Sequence, residues 1–179
     1  MFGELEKILA LVDAIESLKK THSFFREFIH TEVLANIEYG HHTYPIYSFS
    51  IGSNDKTTPT LGLFGGVHGL ERVGTQVVLG FLKSLITQLE WDEALCHSLK
   101  NYRIVSIPLI NPVGMKILRR SNGNGVDLMR NSPVNAAPGV FYKLYRGHRI
   151  SPKLPWYRGK IDEPTERESE ALIEFVKRE

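Results

Sequence analysis

Two short apolar segments with a helical pattern between them restrict the fold more than any other part of this sequence. Residues 60–67 (TLGLFGGV) predict a buried strand that runs into paired glycines, and residues 102–109 (YRIVSIPL) predict a second buried strand. Between them, residues 72–89 repeat apolar side chains at helical spacing. This order predicts an α/β fold with a mixed, mostly parallel central sheet flanked by helices. Sites in such sheets form in loops beyond the carboxyl ends of strands, which directs attention to the loops after both strands.

The remaining segments add helices and one more strand. Residues 3–19 carry leucine, isoleucine and valine at intervals of three or four, which predicts an amphipathic helix. We interpret residues 22–37 as a helical continuation, so that residues 1–40 form an N-terminal helical segment. The alternation in residues 44–51 (YPIYSFSI) predicts a strand. Thr165, with Glu168 three residues later, predicts a capping box at the start of the last helix.

Length and composition predict one globular domain over residues 1–179, since 42% of the residues are hydrophobic and 23% are charged. No apolar run approaches the roughly 20 residues that a membrane span needs. The N-terminal segment carries acidic residues within its apolar pattern, unlike a signal peptide. We therefore expect a cytoplasmic protein with no membrane partner. The single cysteine, Cys96, excludes an internal disulfide and a zinc site built from several cysteines.

Charge is distributed unevenly along the chain. Residues 113–160 contain 10 basic side chains and 1 acidic side chain, although the whole chain carries a formal net charge of +2. A basic stretch of this kind indicates either an anionic partner or a solvated surface. Nucleic acid is not expected as the partner, because the stretch contains no recognised binding motif and few interleaved aromatic residues.

The segment GGVHGLE (residues 65–71) contains the first candidate site. Paired glycines let the backbone turn sharply where the strand ends. His68 and Glu71 then stand three residues apart at a bend or first helical turn, where an imidazole and a carboxylate can point toward one metal ion. A histidine in this position can equally be a capping or packed residue.

Two further loop segments follow the second buried strand. The segment NPVG (residues 111–114) is typical of a turn. The arginine loop, which we define as residues 119–131 (RRSNGNGVDLMRN), places Arg120 and Arg130 in a small, flexible context. Guanidinium groups form bidentate pairs with carboxylates and can stabilise a developing oxyanion. An equally good interpretation is a loop held together by Asp127 and a neighbouring arginine.

Taken in this order and spacing, GGVHGLE, NPVG, RSNGNGVDLMRN and YRGKIDEPTERESEAL resemble the zinc carboxypeptidase family, the funnelin-type metallocarboxypeptidases, in its short bacterial branch. The resemblance covers roughly residues 44–178, and the arginine loop is its most specific part. It implies that residues 44–179 form the N-terminal half of a zinc peptidase domain, with an incomplete zinc-carboxypeptidase-like fold.

The resemblance also implies roles for individual residues. His68 and Glu71 match the first two zinc ligands of the family. Arg120 matches the arginine that polarises the scissile carbonyl, and Arg130 matches the arginine that binds the terminal carboxylate of the substrate. The implied reaction is hydrolysis of a peptide or amide bond by zinc-activated water, with a glutamate taking the proton. The implied substrate is a peptide or an acylated amino acid with an acidic group.

Two departures from the family pattern leave the substrate open. Val113 stands where the family usually has aspartate, and Met129 stands where it usually has asparagine, which helps to hold the carboxylate. A thioether cannot donate a hydrogen bond. A zinc-dependent deacylase of N-acyl amino acids is therefore an alternative to a carboxypeptidase. A non-catalytic binding module that retains the fold is another.

The family's third zinc ligand, a later histidine, and its glutamate base have no match in these 179 residues. His148 is the only histidine after the arginine loop, and its context YRGHRIS has no strand pattern. We therefore expect the chain to be the N-terminal part of a longer enzyme. Because catalytic zinc sites keep three protein ligands, residues 1–179 are predicted to bind zinc weakly and to catalyse poorly.

Overall fold

The computed structural model describes residues 2–133, 147–160 and 165–179. Its described helices and strands follow one another in the order α1, α2, β1, β2, β3, α3, α4, β4, α5 and α6. The helices are α1 Gly3–Thr21, α2 Phe25–Phe28, α3 Arg72–Leu89, α4 Glu93–Ser98, α5 Pro112–Lys116 and α6 Arg167–Arg178, and the strands are β1 Ile29–Tyr39, β2 His42–Gly52, β3 Thr60–Phe64 and β4 Arg103–Ile107.

The four described strands form one mixed sheet in the order β1-β2-β4-β3. β1 and β2 are antiparallel, β2 and β4 are antiparallel, and β3 and β4 are parallel. The α/β fold with a mixed sheet flanked by helices is thus confirmed. Among the strands that the structure describes, however, only one of the three pairings is parallel, whereas the sequence predicted a mostly parallel sheet. β1 and β2 are antiparallel because a tight hairpin joins them directly.

That hairpin corrects the sequence prediction for residues 22–37. Helix ends at Phe28, and β1 follows at once, so the N-terminal segment 1–40 is helical only in part. β1 pairs with β2 through ten residue pairs. A register shift between Val33 and Ala35 interrupts the alternation of side chains by which a strand is recognised in a sequence. Gly40 has φ 61° at the first position of the two-residue turn, the conformation that such hairpins favour. Pairing with β2 outweighs local helix propensity here.

The strand pair β3–β4 shows how the site is supported. All five residues of β4 are buried, as expected for a strand covered on both faces. α1 packs against α3, and α6 packs against β1. The fully buried side chains include Phe49, Ile107 and Phe175. β4 therefore rests in the core. β3 lies at the edge of the described sheet, and four of its five residues are exposed, so the burial predicted for this strand is not found in the described structure.

The start of α6 differs from the predicted capping box. α6 begins at Arg167 with Glu166 as its N-cap residue, and no side chain caps it. Thr165 lies outside the helix, and the carboxylate of Glu168 turns instead toward Asn122. A tertiary partner thus replaces the local reciprocal hydrogen bonds that the spacing suggested.

None of the helices in the described ranges combines the length and the hydropathy that crossing a bilayer would require.

Candidate active site

The bend after β3 is held against the segment that follows β4. Ile110 and Asn111 donate backbone hydrogen bonds to Gly65 and Gly66 at 3.1 and 2.8 Å. Gly66 has φ 63°, and a Cβ there would lie 2.5 Å from Thr75 Oγ1. Glycine is therefore required for both conformation and space. Extending the parallel pairing in this way brings the two predicted loops side by side.

Asn111 gives the NPVG segment a role beyond a turn. Its buried side chain accepts a hydrogen bond from Gly114 N at 2.8 Å and so caps α5. Its Nδ2 donates to Val67 O at 3.2 Å, directly before His68. A Cβ at Gly69 would lie 2.0 Å from the Gly114 backbone. The His68 corner is therefore pressed against the start of α5.

His68 and Glu71 face each other at this corner. His68 Nδ1 lies 3.0 Å from Glu71 Oε1, and the backbone N–H of Glu71 donates to His68 O at 3.0 Å. The imidazole is buried, whereas the side chain of Glu71 is 61% exposed. Zinc ligands at roughly 2.0–2.2 Å from the ion lie roughly 3–3.5 Å from each other. The donor atoms and their spacing therefore fit a shared zinc ion.

Asp127 lies at the centre of the site. Its side chain is 2% exposed, and Oδ2 accepts hydrogen bonds from Arg120 Nε at 3.0 Å and Arg130 Nη1 at 2.7 Å. Its Oδ1 lies 3.4 Å from His68 Nε2, and neither of these two buried atoms has a hydrogen-bond partner. Arg120 Nη1 also donates to Glu71 Oε1 at 3.1 Å. The structure thus brings the four predicted site residues together. His68, Arg120 and Arg130 contact Asp127, and Glu71 joins them through its contacts with His68 and Arg120.

The sequence does not assign a site role to Asp127. The signal that singles it out is its charge, because it is the only acidic residue within 113–160 and stands between two arginines. A carboxylate enclosed by two guanidinium groups and an imidazole edge can orient all three. The arginine loop can therefore be held together by Asp127 and still present its arginines to a ligand, so the two interpretations of the loop are compatible.

His148 is held by hydrogen bonds to the backbone of nearby residues. Its ring accepts a hydrogen bond at Nδ1 from Ile150 N at 3.1 Å, which leaves Nε2 to donate to Pro155 O at 2.8 Å. Both ring nitrogens are thus engaged. Within residues 2–133, 147–160 and 165–179, no group of three or more His, Cys, Asp or Glu side chains is arranged to hold a metal ion. The described residues supply two metal donors.

Comparison with known proteins decides the family. The family model described as zinc carboxypeptidase matches residues 29–179, most of the chain. This chain belongs to the zinc carboxypeptidase family. The match begins at β1, earlier than the resemblance over residues 44–178 suggested.

The relatives of this zinc carboxypeptidase chain are considerably longer than the chain itself. It is 23% identical over 179 residues to the carboxypeptidase N catalytic chain of Rattus norvegicus, covering 92% of this chain and 38% of the relative. It is 29% identical over 113 residues to carboxypeptidase E of Caenorhabditis elegans, covering 56% of this chain and 24% of the relative. The chain thus spans less than two fifths of the length of these curated relatives.

Solved structures share the fold. Bovine thrombin-activatable fibrinolysis inhibitor, solved in complex with tick carboxypeptidase inhibitor, superimposes with a TM-score of 0.64 at 17% identity. That match covers 99% of this chain and 56% of the other. A metallo-carboxypeptidase from Burkholderia cenocepacia gives a TM-score of 0.55 at 19% identity, over 70% of this chain and 32% of the other.

A second buried carboxylate braces the arginine loop of this family member. Asn122 Oδ1 accepts hydrogen bonds from the backbone of Asn124 and Val126, both at 3.0 Å. Its Nδ2 donates to Glu166 at 2.8 Å and to Glu168 at 3.3 Å. Burial raises the pKa of Glu168, and the backbone and Asn122 hydrogen bonds offset the increase only in part. Asn122 therefore ties the loop to the start of α6.

The two departures from the family pattern occupy different environments. Val113 is fully buried in α5, so it packs in the core instead of facing a ligand. Met129 is 62% exposed, next to Arg130. The guanidinium of Arg130 lies 6.0 Å from the ring centre of Trp156 and stacks over it. Trp156 therefore gives Arg130 an aromatic neighbour.

Proposed function

We propose that this chain provides the first two zinc ligands and the arginine loop of a zinc-dependent carboxypeptidase that hydrolyses peptides with a free C-terminal carboxylate. The observation that supports this most strongly is the contact of His68, Arg120 and Arg130 with the buried carboxylate of Asp127, together with the contacts that join Glu71 to His68 and to Arg120. In this proposal His68 and Glu71 bind the metal, Arg120 polarises the substrate carbonyl and Arg130 binds the terminal carboxylate.

The contacts of Arg120 and Arg130 are consistent with these roles. Bound zinc would supply Lewis acidity and an acidified water. Arg120 reaches Glu71 at one end and Asp127 at the other, so its guanidinium is held next to the metal-binding pair. Arg130 is held on the same Asp127 oxygen and keeps a fixed position relative to Arg120. Two cations at a fixed separation suit a substrate whose carbonyl and carboxylate are neighbours.

A zinc-dependent deacylase of N-acyl amino acids is the second candidate. The observation in its favour is the exposed thioether of Met129, which cannot donate a hydrogen bond to a carboxylate. Both candidates need the same metal pair and take a substrate with an acidic group. A non-catalytic binding module, the cytoplasmic location and the exclusion of nucleic acid stay predictions.

Zinc titration tests the metal part of the proposal. We expect weak zinc binding by residues 1–179 in calorimetry, because the described residues supply two donors where catalytic sites keep three. That binding should disappear in a His68→Gln, Glu71→Gln double variant. Tight stoichiometric binding by the unchanged chain, or identical binding by the double variant, would contradict the proposed ligand pair.

Paired peptides test the carboxylate part. A short peptide with a free C-terminus should bind more tightly than its C-terminal amide, and Arg130→Met should remove the difference. Arg26→Met is the matched control, because Arg26 is exposed and its guanidinium donates to the carbonyl of Lys19. Equal affinity for acid and amide would favour the binding module or a different substrate.

A further inference from the structure

An open cleft of about 510 Å³ lies beside the candidate active site. Arg120 and Asp127 both line it, and so does Leu70, the residue directly before Glu71 in the metal-binding corner. A substrate held at Arg120 would therefore border this cleft. The other residues that line the cleft have no role in the proposed function.

The cleft contains the two non-glycine residues with positive φ in the described ranges. Leu118 has φ 55° and Trp156 has φ 67°, and both line the cleft. Bulky residues rarely adopt this left-handed conformation, and when they do the strain is often found at binding sites. Leu118 follows α5, where the backbone N–H of Arg119 donates to Gly114 O at 2.9 Å in the manner of a Schellman motif. Glycine normally occupies such a position.

Part of the cleft surface is apolar. Leu70 is 59% exposed, Leu118 56% and Leu154 46%, and Trp156 adds part of an aromatic ring. Clustered exposed side chains of this size, at the edge of an active site, are typical of a ligand-binding surface. The strained Leu118 thus places an isobutyl group where glycine would leave none.

The charge of the cleft is positive. Arg119 and Lys153 are exposed in its lining, and no ion pair joins either of them to another described residue. The one acidic residue in the lining, Asp127, is already matched by Arg120 and Arg130. An occupant that complements this surface carries a carboxylate as well as an apolar group.

We propose that this cleft binds the part of a substrate that precedes the scissile bond, and that it selects a bulky apolar residue next to an acidic residue. The inference rests on the proposed function, because it takes Arg120 as the position of the reacting carbonyl. Leu70, Leu118, Leu154 and Trp156 contact the apolar side chain. Arg119 and Lys153 attract the acidic one.

Three peptides of equal length test this selectivity on the unchanged chain. The probes are acetyl-Glu-Phe-Gly-Ala, acetyl-Lys-Phe-Gly-Ala and acetyl-Glu-Ser-Gly-Ala, with binding followed by calorimetry at low salt. The first should bind about tenfold more tightly than either of the others, which lose charge complementarity or the apolar contact. Equal affinities for all three, or no binding of any, would overturn the proposal.

Two variants separate selectivity from folding. Arg119→Glu with Lys153→Glu should reverse the preference between the Glu-Phe and Lys-Phe peptides, whereas a cleft without this role would leave the order unchanged. Leu118→Gly should weaken the Glu-Phe peptide but not the Glu-Ser peptide, without lowering the unfolding temperature. A parallel loss for both peptides would overturn the assignment of Leu118.

The same peptides as C-terminal amides keep this inference distinct from the proposed function. If amidation leaves binding unchanged while the Glu-Phe preference persists, the carboxylate role of Arg130 fails and the cleft stands. If amidation weakens binding while the three peptides remain equal, the cleft fails and the proposed function stands.

Discussion

Asp127 and Glu168 are both buried carboxylates that brace the arginine loop, but they differ in their partners. Asp127 accepts hydrogen bonds from two guanidinium groups and lies beside an imidazole. Glu168 receives the neutral amide of Asn122, and a second carboxylate, Glu166, shares that donor. The charge of Asp127 is therefore balanced by two cationic donors, whereas the side-chain donor to Glu168 is a neutral amide.

The two carboxylates are therefore expected to have different roles, Asp127 in holding the side chains of the site and Glu168 in anchoring the loop. A matched buried charge is costly to remove, because its partners then lose their counter-charge. A carboxylate held by an amide contributes through hydrogen bonds, and its burial opposes ionisation. We therefore expect the Asp127 side of the loop to fix the arginines and the Glu168 side to fix the backbone.

The largest expected effect is that of Asp127→Asn, which leaves Arg120 and Arg130 without their shared negative charge. The free energy of unfolding should fall by about 3 kcal/mol in urea titrations. The control is Glu32→Gln, which removes an exposed ion pair with Arg178 and should cost less than about 1 kcal/mol. Similar losses of unfolding free energy in both variants would show that the buried charge of Asp127 contributes no more to stability than an exposed ion pair does.

Asn122→Ala should have the next largest effect, about 2 kcal/mol, because it removes two backbone caps and leaves the buried carboxylate of Glu168 without its side-chain donor. Asn124→Ala is the matched control, since the exposed Asn124 side chain donates only to Glu166 among the described contacts. Chemical unfolding of the two variants measures the difference. Equal losses would show that Asn122 does not anchor the loop.

Leu118→Gly tests the strain at the entrance to the loop, immediately before the part that Asp127 holds. Removing a left-handed leucine should raise the free energy of unfolding by up to about 1 kcal/mol. Ile117→Gly, at φ −94°, should lower it instead. A lower thermal midpoint for Leu118→Gly would show that its side chain contributes more to stability than its backbone conformation removes.

The smallest effect is expected for Glu168→Gln, and it should depend on pH. Since burial raises the pKa of Glu168 above its ordinary 4.5, the folded state favours the protonated form. The stabilisation from Glu168 is full below pH 4.5 and is lost as the pH rises through the folded-state pKa. The glutamine variant should therefore match the unchanged protein at pH 3.5 and exceed it in stability at pH 7. Glu170→Gln, an exposed substitution on the same helix, is the matched control, and a Glu168→Gln variant that is less stable than the unchanged protein at pH 7 would contradict the sign.

Much of the local structure could be predicted from the sequence. Residues 72–89 were predicted as a helix and form α3 with the same bounds, because apolar periodicity over 18 residues is a strong local signal. The strands predicted at 44–51, 60–67 and 102–109 correspond to β2, β3 and β4. β1 was missed, because its pairing with β2 involves a second segment of the chain, which the propensity of residues 29–39 taken alone does not report.

The amino-acid sequence by itself determined which chemical groups stand near each other in the chain: an imidazole and a carboxylate at a glycine bend, and two arginines in one loop. Only the tertiary structure decided that both sets meet at Asp127, and that a strained leucine and a tryptophan border the same cleft. The reason is that spacing fixes neighbours within a turn of the chain, whereas the meeting of residues 68 and 127 depends on the parallel pairing of β3 with β4 and on close packing at Gly69.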